Sequence, residues 1–267
     1  MSASRRRVVV RIAGFIGIGL VAGVLSGLFG VGGGTIVVPL LVAVAAFSQR
    51  LASGTSSAAI IPIAAVGAVS YALAGHVDYL AAGLLAAGAV VGAQIGVRLL
   101  HRLRESVLRW IFVGFLLVVV VSLFVVIPAR GADIEITGWS GAALVLTGLI
   151  TGTASGLIGV GGGIIVVPAM ILVFGASDLV AKGTSLLMMI PTSLSGTIGN
   201  IRRRNVDLAA GLSVGLAACA TAPLGVLLAA ALDPRVANIL FAGFLVAIAV
   251  QLAVRAVRGR RARRGAE

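Results

Sequence analysis

Two glycine-rich segments hold the residues of this sequence that are best placed to bind a ligand. They share one spacing, Gly30-Val-Gly-Gly-Gly34 and Gly159-Val-Gly-Gly-Gly163, and an apolar segment follows each. Adjacent glycines break a helix and leave backbone N–H groups uncovered. The helix that begins after such a break has free N–H donors and a partial positive charge, which suit an anion. We therefore expect an anion to contact Gly32, Gly33, Gly34, Gly161, Gly162 and Gly163.

The glycine segments could also serve a purely structural role. Close packing of helices without a ligand is the main alternative. A nucleotide-binding loop is poorly supported, because no Gly-Lys-Ser/Thr follows either segment and no soluble βαβ unit surrounds it. The sequence also shows neither a nucleophile with a base nor clustered metal ligands, so we expect no enzyme, no metal and no cofactor.

A second motif follows each glycine segment. Gly54-Thr-Ser56 and Gly183-Thr-Ser185 are each predicted to open an apolar helix. Thr and Ser at a helix start cap free N–H groups, which is the structural interpretation. Their hydroxyls could instead donate to an anion beside a second positive helix end. Both interpretations stay open, and the candidate binding residues are Gly54, Thr55, Ser56, Gly183, Thr184 and Ser185.

Lys182 is the only lysine of the chain, and it directly precedes the second Gly-Thr-Ser motif. Its counterpart in the first half is Ser53, so the two halves differ in charge at this point. The ammonium group could attract an anion. A solvated loop lysine is the alternative. We include Lys182 among the candidate substrate-binding residues.

The helix predicted over residues 184–201 is unusually polar for a membrane segment. Membrane helices use hydroxyl and amide side chains to bond their neighbours, and a stripe facing a pore is the competing interpretation. No carboxylate lies clearly in mid-membrane, so the sequence predicts no proton relay. The polar residues in question are Thr192, Ser193, Ser195, Thr197 and Asn200.

The elements that position these residues are duplicated. Ser26 to Pro39 recurs as Ser155 to Pro168 with twelve of fourteen positions identical, at an offset of 129 residues. The same offset relates Pro62 to Pro191 without a gap. In duplicated membrane proteins the substrate site usually lies where the repeats meet.

Composition places the chain in a membrane. It is 60% hydrophobic and 11% charged, whereas a soluble domain carries far more surface charge. Continuous apolar stretches long enough to cross a bilayer recur along it. The fold class is therefore predicted as all-α and polytopic, since a β-barrel needs alternating residues. The apolar segments are expected at a constant offset of 129 in both halves, and those of the first half are about 8–29, 34–47, 54–74, 79–99 and 107–127.

Segment 34–47 is too short to cross a membrane as one straight helix. Its fourteen residues reach about 21 Å at about 1.5 Å per residue, against a hydrocarbon core of about 30 Å. We therefore expect the preceding glycines to break the helix within the membrane, in a crossing or a re-entrant segment.

The basic residues indicate the topology. With the N-terminus in the cytoplasm, alternation through the segments puts 18 of the 21 basic residues inside, as the positive-inside rule requires. The first repeat then starts inside and ends outside, and the second runs the opposite way, which is typical of alternating-access transporters. The predicted divisions are a first membrane repeat, an external linker, a second membrane repeat and a basic cytoplasmic tail, at residues 1–127, 128–136, 137–256 and 257–267.

The net charge of +13 comes mainly from basic clusters at Arg5 to Arg11, Arg98 to Arg109, Arg202 to Arg204 and Arg255 to Arg264. They favour contacts with anionic lipid headgroups. Nucleic-acid binding is not expected, because no aromatic platform or soluble module accompanies the charge.

These motifs resemble those of the sulfite exporter TauE/SafE family of membrane transporters, also called the TSUP family. The similarity rests on Ser26-Gly-Leu-Phe-Gly-Val-Gly-Gly-Gly34 with Pro39, on the copy ending at Pro168, and on the Gly-Thr-Ser motifs. The resemblance implies a multi-pass permease of the bacterial inner membrane that moves small sulfur-containing or organic anions, such as sulfite, sulfonates, sulfoacetate or thiosulfate. It implies neither a direction nor an oligomeric state. An intramembrane enzyme and a membrane scaffold without transport activity are the alternatives.

Overall fold

The computed structural model describes residues 3–104 and 138–233, with parts of 106–121 and 235–254, and side chains from residue 11 onward. No strand occurs among these residues, which confirms the all-α prediction. The predicted linker 128–136 and the tail 257–267 lie outside the described residues.

Eight helices with defined ends carry the architecture of the two halves. In the first half they are α1 (Ala3–Phe29), α2 (Gly34–Val44), α3 (Gln49–Leu73) and α4 (Tyr79–Arg102). In the second half they are α5 (Gly138–Ile158), α6 (Gly163–Leu172), α7 (Asp178–Ile201) and α8 (Leu208–Ala231). Most of these ends agree with the predicted offset of 129, so the sequence repeat is also a structural repeat.

Five of these helices are long and apolar enough to cross a membrane. They lie at Arg11–Phe29, Gln49–Leu73, Tyr79–Arg102, Gly138–Ile158 and Leu208–Ala231. Helix α2 has 11 residues and therefore reaches only about 16 Å. This confirms the prediction that the segment is too short to cross a membrane as one straight helix. The chain is thus a multi-pass membrane protein with broken helices.

Helices α1 and α2 form a hairpin whose tip is the first glycine loop. The Arg11 guanidinium lies 5.5 Å from the ring centroid of Phe15 and 5.6 Å from that of Phe47. Because Phe15 is near the start of the apolar span Arg11–Phe29 of α1 and Phe47 follows α2, the chain returns to the end of the bundle at which this span begins. The glycine loop therefore lies inside the protein, and the segment is re-entrant.

One predicted boundary is wrong, because α3 and α7 begin before the Gly-Thr-Ser motifs and not at them. The caps are Ser48, whose hydroxyl accepts the N–H of Leu51 at 3.3 Å, and Ser177, which accepts that of Val180 at 3.4 Å. Gly54-Thr55-Ser56 and Gly183-Thr184-Ser185 lie in the second turn, where the backbone N–H groups already bond within the helix. The expectation that they cap a helix start is therefore corrected.

The first helix of each repeat packs against the fourth helix of the other repeat. Helix α1 contacts α8, and α5 contacts α4. At Gly92 of α4 a Cβ would collide with the carbonyl of Leu149, and at Gly152 of α5 it would collide with that of Ala89. These glycines let two backbones approach closely, which joins the repeats along their length.

The directions of the helices show that the repeats are inverted. Arg11, at the start of the apolar span Arg11–Phe29 of α1, lies 3.6 Å from Asp207, which caps the start of α8. Asp78 caps the start of α4 at the opposite end, where its N–H donates to Thr184 Oγ1. Since α5 runs parallel to α4, it begins at the end opposite to the start of α1.

Candidate functional site

The two glycine loops meet at the centre of the bundle. A Cβ on Gly34 would lie 2.6 Å from Cα of Val160, and one on Gly163 would lie 2.8 Å from Cα of Val31. The loops are thus in backbone contact, as expected for a site where repeats meet. Six of their glycines have positive φ, between 66° and 97°, a region that other residues rarely adopt: Gly30, Gly32, Gly33, Gly159, Gly161 and Gly162.

Ile60 of α3 and Met189 of α7 mark the axis that relates the repeats. They are equivalent at the offset of 129. A Cβ on Gly161 would lie 3.1 Å from both Ile60 Cδ1 and Met189 Sδ, and Gly32 faces the same two side chains. Each glycine loop therefore contacts both central helices at mid-bundle.

Helices α2 and α6 begin at these loops without a side-chain cap. Their N-cap residues are Gly33 and Gly162, which offer no side-chain acceptor to the N–H groups of the first turn. Backbone bonding in α2 starts with the N–H groups of Ile36 and Val37, which lie 3.0 Å and 2.9 Å from the carbonyl of Gly33. Two short helices thus direct partial positive charge into the buried centre, an arrangement suited to an anion.

The Gly-Thr-Ser motifs connect each repeat to the glycine loop of the other. Ser185 Oγ donates to the carbonyl of Gly30 at 2.6 Å, and its counterpart Ser56 Oγ donates to the carbonyl of Gly159 at 2.8 Å. All four residues are buried, so these bonds hold the loops against α7 and α3. Because the hydroxyl protons are used here, the serines stabilise the loops that surround the site.

The other two residues of each motif receive the helix start of the opposite repeat. Thr184 Oγ1 accepts the N–H of Asp78 at 2.9 Å, and Thr55 Oγ1 accepts that of Asp207 at 3.0 Å. At Gly183 a Cβ would collide with the carbonyl of His76, and Gly54 is equally close to that of Asn205. Sequence alone carries no signal for these contacts, because both partners lie more than 100 residues away.

Lys182 lies neither in a loop nor in solvent. It is in the second turn of α7, and its Nζ lies 2.7 Å from Oδ2 of Asp178. The two side chains are 5% and 4% exposed. A Cβ on Gly30 would lie 2.6 Å from Cα of Lys182, so the lysine borders the first glycine loop. The solvated-loop interpretation is therefore wrong.

Asp178 is the residue of this site that sequence reasoning missed. Alternation of the membrane segments predicts that Asp178 lies in an external loop. The structure instead buries it in the first turn of α7. The spacing of Asp178 and Lys182 does indicate an ion pair, because an acidic residue four positions before a basic one is the favourable order on a helix. In the first repeat Gln49 and Ser53 occupy the equivalent positions, and Ser53 Oγ donates to the carbonyl of Ile158 at 2.9 Å.

The polar residues of α7 differ in their hydrogen bonds. Ser195 Oγ donates to the carbonyl of Val90 at 3.0 Å and accepts from Gln94 of α4, so it joins two helices. Ser193 and Thr197 are buried, and their hydroxyls have no hydrogen-bond partner among the described residues.

The buried hydroxyl of Thr35, in the first turn of α2, likewise has no partner within the described part of the chain. It belongs to the first glycine motif, and its counterpart Ile164 is apolar. Thr35 is thus a further candidate for ligand contact. Its position directly after the first glycine segment could have indicated this from the sequence. No group of three or more His, Cys, Asp or Glu that could hold a metal occurs among the described residues.

Comparison with known proteins agrees with this architecture. The model of the sulfite exporter TauE/SafE family matches residues 2–123 and 144–267. A probable membrane transporter protein of Xylella fastidiosa (strain 9a5c) is 29% identical over 241 residues, covering 88% of this chain and 92% of that protein. The probable membrane transporter protein YunE of Bacillus subtilis (strain 168) is 33% identical over 120 residues, covering 42% of this chain and 44% of that protein.

A second Bacillus subtilis (strain 168) protein, the probable membrane transporter protein YdhB, is 26% identical over 190 residues, covering 69% of this chain and 77% of that protein. No solved structure matches the chain. The family model covers nearly the whole chain and both glycine loops. The chain therefore belongs to the sulfite exporter TauE/SafE family of membrane transporters.

Proposed function

We propose that this chain is a secondary transporter of small anions, with sulfite, sulfonates, sulfoacetate or thiosulfate as its substrate type. One observation supports this above the others. The N-termini of α2 and α6 meet at the centre of an inverted repeat, and neither has a side-chain cap. Broken helices of this kind place their positive ends at the anionic groups of transported substrates.

The proposed binding residues are those of the glycine loops with the Gly-Thr-Ser motifs and Lys182. Backbone N–H groups of the loops donate to the anion, and the motif serines keep the loops in place. Each helix end contributes roughly half a positive charge before screening. Lys182 supplies a full charge beside the first loop, but Asp178 neutralises it when no anion is bound.

The proposed location is the bacterial inner membrane, with both termini in the cytoplasm. One end of the bundle gathers Arg50, whose guanidinium donates to the carbonyl of Leu103 at 2.5 Å, and the pair Arg11–Asp207. Under the positive-inside rule this is the cytoplasmic end, where anionic lipid headgroups would contact the basic residues.

Flux into proteoliposomes tests the proposal. Vesicles that contain the purified chain and empty vesicles are given sulfite, thiosulfate, sulfoacetate, sulfate and taurine in turn. We expect protein-dependent and saturable flux of at least one sulfur-containing anion, with no chemical change in the anion recovered. Recovery of an altered product would favour an intramembrane enzyme. Flux equal to that of empty vesicles for every compound would contradict a sulfur-anion transporter.

A further inference from the structure

The ion pair between Lys182 and Asp178 is not required by the fold. Both side chains are buried in a bundle that spans a membrane, where ionisable groups are costly and commonly functional. The first repeat places Gln49 and Ser53 at the same positions and forms the same helix, loop and cap. The second repeat therefore carries a pair of charges that its architecture does not need.

Few other ionisable groups face this pair. From α3, Tyr71 packs against Gly183 and donates its hydroxyl proton to the carbonyl of Gly27 at 2.8 Å. His76 presents its carbonyl to the same glycine, and Asp78 caps α4 beside Thr184. Helix α6 contains no charged residue. Within 4 Å of the Asp178 carboxylate, the described residues offer no cation besides Lys182.

An anion that binds at the first glycine loop must compete with Asp178 for Lys182. Cα, Cβ and Cγ of Lys182 lie 2.6 to 2.9 Å from the position of a Cβ on Gly30, so the first part of the lysine side chain runs beside the loop that would hold the anion. If Lys182 turned to the anion, Asp178 would be left as a buried carboxylate without a counterion. The site would then hold an excess negative charge in a region of low dielectric constant, which is unfavourable.

We propose that Asp178 is a proton-binding site that is filled when an anion takes Lys182 from it. Before binding, the site holds an ammonium and a carboxylate. After binding, the ammonium N–H groups donate to the anion, and the carboxylate has taken one proton from water to become a neutral acid. For a singly charged anion, the total charge of the site is zero in both states.

This inference rests on the proposed function and adds that anion transport is coupled to the movement of a proton. A singly charged anion moves together with a proton without moving net charge. Because protonation accompanies binding, anion affinity rises as the pH falls, by up to about tenfold for each pH unit. The first repeat, with Gln49 and Ser53, binds no proton, so the coupling belongs to one half of the protein.

Titration calorimetry tests the proton directly on the whole purified chain in detergent. Methanesulfonate is the probe, because it stays singly charged at every pH used. Repeating the titration in two buffers of different ionisation enthalpy gives both the affinity and the number of protons taken up. We expect about one proton per bound anion for the wild type. Asp178→Asn should bind without proton uptake and with an affinity independent of pH.

Two further variants keep the test decisive. Asp78→Asn changes a carboxylate at the same end of the bundle and should leave proton uptake as in the wild type. Asp178→Gln copies Gln49 of the first repeat and keeps Lys182, so it should bind the anion and take up no proton even if Asp178→Asn is unstable.

The outcomes separate this inference from the proposed function. Binding by the wild type without proton uptake would overturn the proton site and leave the anion site intact. Proton uptake that persists in Asp178→Asn would overturn the assignment to Asp178. If the wild type binds neither methanesulfonate nor thiosulfate, the proposed sulfur-anion site itself fails.

Discussion

Ser185 of one repeat donates its hydroxyl proton to the carbonyl of Gly30 in the other at 2.6 Å. The equivalent bond runs from Ser56 to Gly159 at 2.8 Å. Each glycine loop is therefore held by a helix of the opposite repeat. This crossed arrangement links the position of one loop to the helices of the other half.

Removing either hydroxyl should destabilise the protein by a similar amount. Ser185→Ala and Ser56→Ala each leave a buried carbonyl without its donor, which costs about 1–3 kcal/mol. Thermal unfolding in detergent measures the loss. Ser213→Ala, which removes a hydroxyl bonded only within α8, is the matched control and should unfold like the wild type. Equal stability of all three variants would show that the loops do not depend on these bonds.

Lys182 should affect both stability and anion affinity. Lys182→Ala leaves Asp178 buried and unpaired, which costs about 3–5 kcal/mol, whereas the neutral double variant with Asp178→Gln and Lys182→Ser should be close to wild type. For the fraction that folds, we expect Lys182→Ala to raise the half-saturating anion concentration about tenfold or more.

Lys182→Arg should keep most of the affinity because it retains the charge, and Ser53→Ala should change it less than Lys182→Ala does. Concentration-dependent flux at matched membrane levels compares the variants. An unchanged half-saturating concentration in Lys182→Ala would remove Lys182 from the binding site.

The glycine contact between α4 and α5 should tolerate no large side chain. Gly92→Leu would drive a side chain into the backbone of Leu149, so we expect the free energy of unfolding to fall by about 1–3 kcal/mol or more. Gly83 lies on the same helix with no atom within 4 Å of its Cβ position, and Gly83→Leu should be tolerated. Thermal unfolding of the two variants side by side decides this, and equal melting temperatures would contradict the packing.

Sequence predicted the parts of this protein that depend on local pattern. The offset of 129, the glycine breaks and the shortness of α2 all follow from residue types at fixed spacing, and the structure confirms them. The glycine face of α4 is likewise identifiable from spacing as a packing surface. Its partner, α5 of the other repeat, is not, since spacing within one helix does not indicate what lies across from it.

The errors of the sequence prediction have tertiary causes. A glycine usually weakens a helix, which favours a helix start at Gly54, yet this residue lies inside α3 because the carbonyl of Asn205 approaches it. A helix start at Gly183 would also place Lys182 and Asp178 before the helix, whereas both lie inside α7. Placing the true cap at Ser177 would have put both charges on one face of α7.

The topology proposed from the basic clusters can be measured. In a Cys219→Ser background, Asp133→Cys, Arg203→Cys and Ala262→Cys place single thiols in the proposed linker, in the loop before α8 and in the proposed tail. We expect a membrane-impermeant reagent to label only position 133 from outside whole cells, because basic segments stay in the cytoplasm. Labelling of 203 or 262 but not of 133 would contradict the proposed orientation.

Anion flux through variants of the glycine loops tests the central claim most directly. Gly33→Val and Gly162→Val place a branched side chain where φ is 74° and 97° and where we propose that the backbone meets the anion. Gly75→Val and Gly175→Val add comparable backbone strain, at φ of 76° and 69°, in places with no atom within 4 Å. With membrane levels matched, we predict that flux is lost in the two loop variants and retained in the two controls. Normal flux through Gly33→Val and Gly162→Val would contradict the claim that the anion binds at these helix breaks.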